Sequence, residues 1–124
     1  MEQKYYVCKK CGNMVSMIKS SGAKCVCCGE EMTELVAGTS DGAVEKHVPV
    51  YSVDGNKVSV TVGEVAHPMQ DVHYIEWLSI ETKKGSQIKA LNPGEEPKAE
   101  FVLTDDDELV AVYAYCNLHG LWKA

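Results

Sequence analysis

Five of the six cysteines, Cys8, Cys11, Cys25, Cys27 and Cys28, fall within the first 28 residues. A segment shorter than about 40 residues buries too little apolar surface to fold on packing alone, and usually needs a metal, disulfides or a partner chain. Its cysteines must supply what a core cannot. Cys8-Lys9-Lys10-Cys11 has the spacing that aims two sulfurs at one ion from a tight turn, and Gly12 follows where such a turn needs positive φ. Cys27-Cys28, before Gly29, offers a second pair. Neighbouring side chains of an extended strand point to opposite faces, so the backbone at that pair must turn or distort. A thiolate-only tetrahedral site takes zinc or iron, and composition does not choose between them. The competing reading, a redox dithiol at Cys8 and Cys11, would want a βαβ context that this chain lacks. Cys25, one residue before Val26 in a strand-like stretch, reads as a small buried hydrophobe rather than a ligand.

Thiolate ligation presupposes a reducing compartment. Met1 to Tyr6 shows no positively charged start followed by an apolar stretch, so no secretory signal is read and a cytoplasmic location is expected. No run approaches the roughly 18 apolar residues that span a bilayer, which argues against a membrane protein. With 12 Lys+Arg against 18 Asp+Glu the net charge is −6, which disfavours a nucleic-acid partner because that binding is driven by clustered cations.

All four histidines, His47, His67, His73 and His119, lie beyond residue 40, and the small, polar, Gly-containing stretch Ala37-Gly38-Thr39-Ser40-Asp41-Gly42 between the two compositions reads as a linker. The expected domains are 1–37, the cysteine knuckle, and 38–124. The second reads as β. Lys57 to Val62 alternates with period two, and the turn Asp54-Gly55-Asn56 joins it to Val48–Val53 as a hairpin. Further strands are expected at Tyr74–Thr82, Ser86–Leu91, Ala99–Thr104 and Glu108–Tyr115, with turns about every ten residues, as in a β-sandwich. Val72 to Leu78 would also fit a helical turn, but its β-branched and aromatic content favours a strand.

Cys116-Asn117-Leu118-His119 can place a thiolate and an imidazole on one ion at a strand end. His47, His67 and His73 each flank a strand or loop end, and Pro68 holds the backbone of His67 extended. Four imidazoles with one thiolate would leave one octahedral position open opposite a soft, electron-donating ligand, which suits reduction of a small molecule. A copper electron-transfer site is the rival, but it wants an axial Met after the last His, and His119 is followed by Gly120-Leu121-Trp122-Lys123-Ala124.

Cys8-x-x-Cys11 with Cys27-Cys28-Gly29, then Asp41-Gly42-Ala43-Val44-Glu45-Lys46-His47-Val48-Pro49-Val50, Val65-Ala66-His67-Pro68-Met69, His73-Tyr74-Ile75-Glu76-Trp77 and Cys116-Asn117-Leu118-His119-Gly120-Leu121-Trp122, resemble the desulfoferrodoxin family. These are superoxide reductases with a desulforedoxin-like N-terminal domain. The resemblance covers nearly the whole chain and implies an all-β fold, an iron knuckle followed by a seven-stranded immunoglobulin-like β-sandwich. It implies two mononuclear non-haem irons per chain, one held by Cys8, Cys11, Cys27 and Cys28, where zinc is an alternative. The other, catalytic iron would have His47, His67, His73 and His119 in a plane and Cys116 axial. Glu45 would close the sixth position at rest, and Lys46 would stand near the open face. The implied reaction is one-electron reduction of superoxide to hydrogen peroxide, with a small electron donor such as a rubredoxin and a homodimeric assembly. An anionic substrate needs a positive local field, so Asp105, Asp106 and Asp107 should lie away from Lys46.

Overall fold

The computed structural model describes residues 3–38 and 42–124; Thr39, Ser40 and Asp41 of the expected linker lie outside the described residues. The chain divides into two compact units, Met1–Val36 and Ala37–Ala124.

In the first unit, β1 (Lys4–Val7) pairs antiparallel with β2 (Met14–Met17) on one side and β5 (Thr33–Glu34) on the other. The Cys8–Cys11 knuckle is the β1–β2 connection, closed by Cys8 N–H to Asn13 O and Gly12 N–H to Cys8 O, both 2.8 Å. Gly12 takes the expected positive φ, 84°. A two-residue turn, Cys28-Gly29, joins β3 (Val26–Cys27) to β4 (Glu30–Glu31). Cys28 has φ 53° and Gly29 φ 76°. Two left-handed residues are what a type I′ hairpin requires. The distortion expected at the adjacent cysteines is therefore a tight turn that swings the second sulfur round to the first. Cys25 is half-buried just ahead of β3, its carbonyl accepting from Met32 N–H at 2.8 Å.

The second unit opens with one helical turn, α1 (Val44–His47), followed by seven strands in two antiparallel sheets. The first sheet has the order β10 (Lys98–Val102), β7 (Lys57–Val62), β6 (Pro49–Asp54). The second runs β12 (Gly120–Lys123), β11 (Leu109–Cys116), β8 (Ile75–Thr82), β9 (Gly85–Ala90). Period-two alternation sends Val58, Val60 and Val62 of β7 inward against Leu78, Ile80, Val112, Ala114 and Phe101. Cys116 belongs to that core and is fully buried.

Six of the seven strands coincide with stretches expected as strands, and of the disputed stretch Val72 to Leu78 the residues from Ile75 on are strand as preferred, with Val72 in the turn ahead of β8. β12 escaped the pattern because only four residues of it pair, Gly120 with Cys116 through Lys123 with Tyr113. Among the described residues no helix is long and apolar enough to cross a membrane.

Candidate metal centres

Each group of donors gathers where strands end. In the first unit one sulfur each from Cys8, Cys11, Cys27 and Cys28 lies within 4.8 Å of the others. Cys11 Sγ is 3.7 Å from Cys27 Sγ, which is 4.0 Å from Cys28 Sγ. At a metal–sulfur bond of about 2.3 Å, tetrahedral sulfurs stand about 3.8 Å apart. The spacing is that of a closed four-sulfur site. The protons tell the same story. The Cys11 backbone N–H, with that of Lys10, lowers the Cys8 pKa to about 6 against the opposing effect of burial. Shared hydrogen bonding with Cys11, Cys8 and Cys27 pushes Cys28 up to about 12. Cys27 is raised as well, first by Cys11. Four sulfurs this close cannot all be thiolates unless a cation neutralises them. Cys25 stands outside this group.

The second unit collects its donors at one end of the sandwich. Cys116 ends β11, His119 lies in the loop to β12, His73 precedes β8, His67 lies between β7 and β8, and His47 closes α1. Ligand atoms of His47, His67, His73 and Cys116 lie within 4.8 Å of one another. His119 joins them through Nδ1, 3.0 Å from His47 Nε2 and 3.8 Å from Cys116 Sγ.

The four rings form a square. Neighbouring centroids are 4.6 Å (His47–His67), 4.7 Å (His67–His73), 5.1 Å (His73–His119) and 4.7 Å (His119–His47) apart, with interplanar angles of 71–82°. The diagonal His47–His73 is 6.4 Å at 29°. In a tetrahedral array no separation would stand out as a diagonal. The nitrogens agree: at a bond of about 2.1 Å, right-angle neighbours are about 3.0 Å apart and tetrahedral ones about 3.4 Å. His47 Nε2 is 3.0 Å from His119 Nδ1 and 3.1 Å from His67 Nε2.

The tautomers decide what can occupy that square. His47 Nδ1–H donates to Ala43 O at 2.7 Å and His67 Nδ1–H to Pro68 O at 2.6 Å. A neutral imidazole has one N–H, so both Nε2 atoms turn lone pairs toward each other. A shared proton does not relieve this, because burial pushes both rings below the ordinary histidine pKa, His67 to about 4. His73 is lowered too, by burial first and then by His119 and Lys46. Among the described residues, His73 Nε2 is the buried side-chain nitrogen or oxygen atom without a hydrogen-bond partner. Lone pairs facing inward and an orphaned ring nitrogen fit a cation. Burial raises the Cys116 thiol, and such a cation would deprotonate it.

Further contacts hold the ligands in place. Asn117 fastens the His73 loop to the Cys116–His119 loop. Its Oδ1 accepts from Tyr74 N–H at 3.0 Å, its Nδ2 donates to Val72 O at 3.0 Å, and its N–H donates to Tyr74 O at 3.2 Å. Trp122 stacks on His47 with centroids 5.0 Å apart and donates Nε1–H to His119 O at 3.1 Å. The sequence reading quotes both within the Cys116–Trp122 motif but gives neither a role. Their only signal was position, one and six residues after Cys116. Gly63 lies against α1: a Cβ there would stand 2.7 Å from Lys46 O and 2.8 Å from Glu45 O. Val65 N–H donates to Glu45 O at 2.9 Å. Glu45 and Lys46 are thereby held on the same turn as His47, both exposed. A groove of about 480 Å³ adjoins Glu45 but is lined by Val44, Val48, Pro49, Val50, Tyr51 and Glu64, with no imidazole. The donors mark the chemistry better than this groove does.

Comparison with known proteins agrees with this geometry. The Desulfoferrodoxin family model matches residues 39–124. Desulfoferrodoxin from Nitratidesulfovibrio vulgaris is 50% identical over 119 residues, covering 96% of this chain and 93% of its own. Superoxide reductase from Pyrococcus horikoshii is 35% identical, covering 68% of this chain and 89% of its own. The crystal structure of superoxide reductase from Treponema pallidum superposes with a TM-score of 0.85 at 39% identity, covering 100% of this chain and 99% of that one.

Proposed function

Because this chain belongs to the desulfoferrodoxin family, we propose that it is a superoxide reductase whose two metal centres are the two donor groups just described. The reaction is superoxide plus one electron and two protons giving hydrogen peroxide, with no dioxygen released. The observation that carries this reading is the square of imidazoles whose lone pairs converge beside a buried thiol. Iron bound there would supply the single electron through its ferrous–ferric couple.

His47, His67, His73, His119 and Cys116 would hold that iron, the thiolate of Cys116 being the soft, electron-donating member of the set. Lys46 presents an ammonium that draws in the anion and orders water near the oxygen to be protonated. Glu45, on the same turn as His47, would cover the site between turnovers. Cys8, Cys11, Cys27 and Cys28 hold the second iron, with zinc as the alternative occupant. Residues 1–37 are then a metal-stabilised domain and 38–124 the catalytic one. A small one-electron carrier such as a rubredoxin re-reduces the centre, and homodimerisation and a cytoplasmic location complete the proposal. A site built of thiolates alone needs a reducing compartment, which supports that location.

The test pairs elemental analysis with stopped-flow reaction with superoxide. Two irons per chain, and peroxide formed without dioxygen, are expected. Dioxygen release, or copper in the histidine centre, would overturn the reading.

A further inference from the structure

Asn13 follows the Cys8–Cys11 turn, and hydrogen bonds pin its backbone on both sides. Its O accepts from Cys8 N–H at 2.8 Å, and its N–H donates to Cys11 Sγ at 3.5 Å. With the main chain so fixed, the side chain reaches across to the other cysteine turn. Its Nδ2 donates to Cys27 Sγ at 3.7 Å, at the end of β3. One residue thus touches three of the four cysteines and hydrogen-bonds to a sulfur from each turn. Cys27 is a thiol whose pKa is raised, first by Cys11, and the Asn13 amide works against that rise. An N–H donor favours the charged form of the group it points at.

Resting on the reading of this site as an iron centre, we propose that Asn13 is a positioning residue whose side-chain amide, aimed at Cys27 Sγ, makes the iron held there easier to reduce. The reason is electrostatic. Reduction adds a negative charge to a centre that four thiolates already make anionic, and much of that charge resides on the sulfurs. A donor aimed at one sulfur therefore stabilises the reduced state more than the oxidised one. The backbone bonds to Cys8 and Cys11 survive replacement of the side chain, so a substitution at Asn13 isolates the contact with Cys27. The same two turns are also joined by the exposed ion pair of Lys10 Nζ with Glu30 Oε1, 3.4 Å apart. That pair links the turns without using a sulfur, which separates a structural tie from an effect on the sulfur itself.

The experiment uses the full-length, iron-loaded protein and measures the midpoint potential of each iron by redox titration followed in the visible spectrum. Asn13→Leu keeps the size of the side chain, removes the donor and leaves no room for a water to replace it. The equilibrium constant for reducing the four-sulfur iron should then fall about tenfold, a negative shift of about 59 mV in a one-electron couple. Its thiolate-to-iron absorption should move to lower energy, because the Cys27 sulfur becomes richer in electrons, while the potential of the histidine centre stays put. The paired variant Lys10→Gln/Glu30→Gln, which loosens the same two turns at constant net charge, should leave both potentials unchanged. An unshifted four-sulfur potential in Asn13→Leu overturns the proposal. So does an equal shift in the paired variant, which would make the contact a structural tie alone. Asn13→Val is read on the same criteria should Asn13→Leu fail to load iron. A parent protein with no one-electron couple at the cysteine site would overturn the iron assignment itself and this proposal with it, a result distinct from an unshifted potential.

Discussion

Burial and two backbone carbonyls keep the rings of His47 and His67 neutral with their lone pairs inward. Because the folded pKa of His67 is depressed, the unfolded chain takes up its proton first as the pH falls. The stability tied to a neutral ring is fully present above pH 6.5 and is lost as the pH falls toward about 4. For His67 alone this amounts to about 3 kcal/mol. Urea unfolding of the metal-free protein at pH 7.0, 5.5 and 4.5 should therefore show the midpoint falling steadily, and a flat profile would contradict the buried neutral ring. In the proposed mechanism Lys46 would act by charge rather than by ligation. Lys46→Ala is expected to slow the reaction with superoxide roughly tenfold or more and to flatten its dependence on ionic strength, with iron content unchanged. Stopped-flow measurement across a salt series checks it, and kinetics equal to the parent would remove Lys46 from the mechanism.

Elements show most directly what a sequence can and cannot carry. Lys57 to Val62 is legible because alternation records which face is buried, whereas β8 and β11, buried on both faces over most of their length, are legible from their apolar, β-branched and aromatic content. The ligands are legible because Cys and His at strand ends are rare and chemically specific. α1 is not, since four residues span barely one turn and display no period. The Asn117 clamp is equally silent, because its partners lie 43 and 45 residues upstream and only the folded register of β8 against β11 brings them near. Gly63 left a faint trace: a glycine just past a strand often marks close backbone approach. Its φ of 82° and the 2.4 Å that would separate a Cβ from Val65 O leave no room for a side chain. Gly63→Ala should displace α1, lowering iron retention at the histidine centre and the superoxide rate together while the four-cysteine spectrum is untouched. Metal analysis after gel filtration decides it, and full iron retention would show that α1 does not depend on this contact.

Within the second unit the acidic run at residues 105–107 lies away from the histidine centre, as an anionic substrate requires. Asp105, Asp106 and Asp107 precede β11 at the end opposite Cys116, on the order of 20 Å away along an eight-residue strand. They are occupied there: Asp106 pairs with Lys84, and Asp107 accepts from Thr82 Oγ1 at 2.7 Å and Lys84 N–H at 3.1 Å. The two donor groups fall in separate compact units and share no residue. Cys116→Ser should accordingly abolish the thiolate-to-iron absorption of the catalytic centre and leave the N-terminal iron spectrum intact; loss of both bands would show the centres to be interdependent. The square of nitrogens has a final consequence, for how the protein obtains its metal. Zinc outcompetes ferrous iron for most nitrogen and sulfur donors and prefers a tetrahedron in closed sites. The four-sulfur knuckle, already tetrahedral in its spacing, offers no discrimination against it. The histidine centre would have to spread nitrogens fixed at 3.0 and 3.1 Å to about 3.4 Å before zinc could settle there. Mismetallation in a zinc-rich cell thus falls on the knuckle, and the centre that does the chemistry is guarded by its shape.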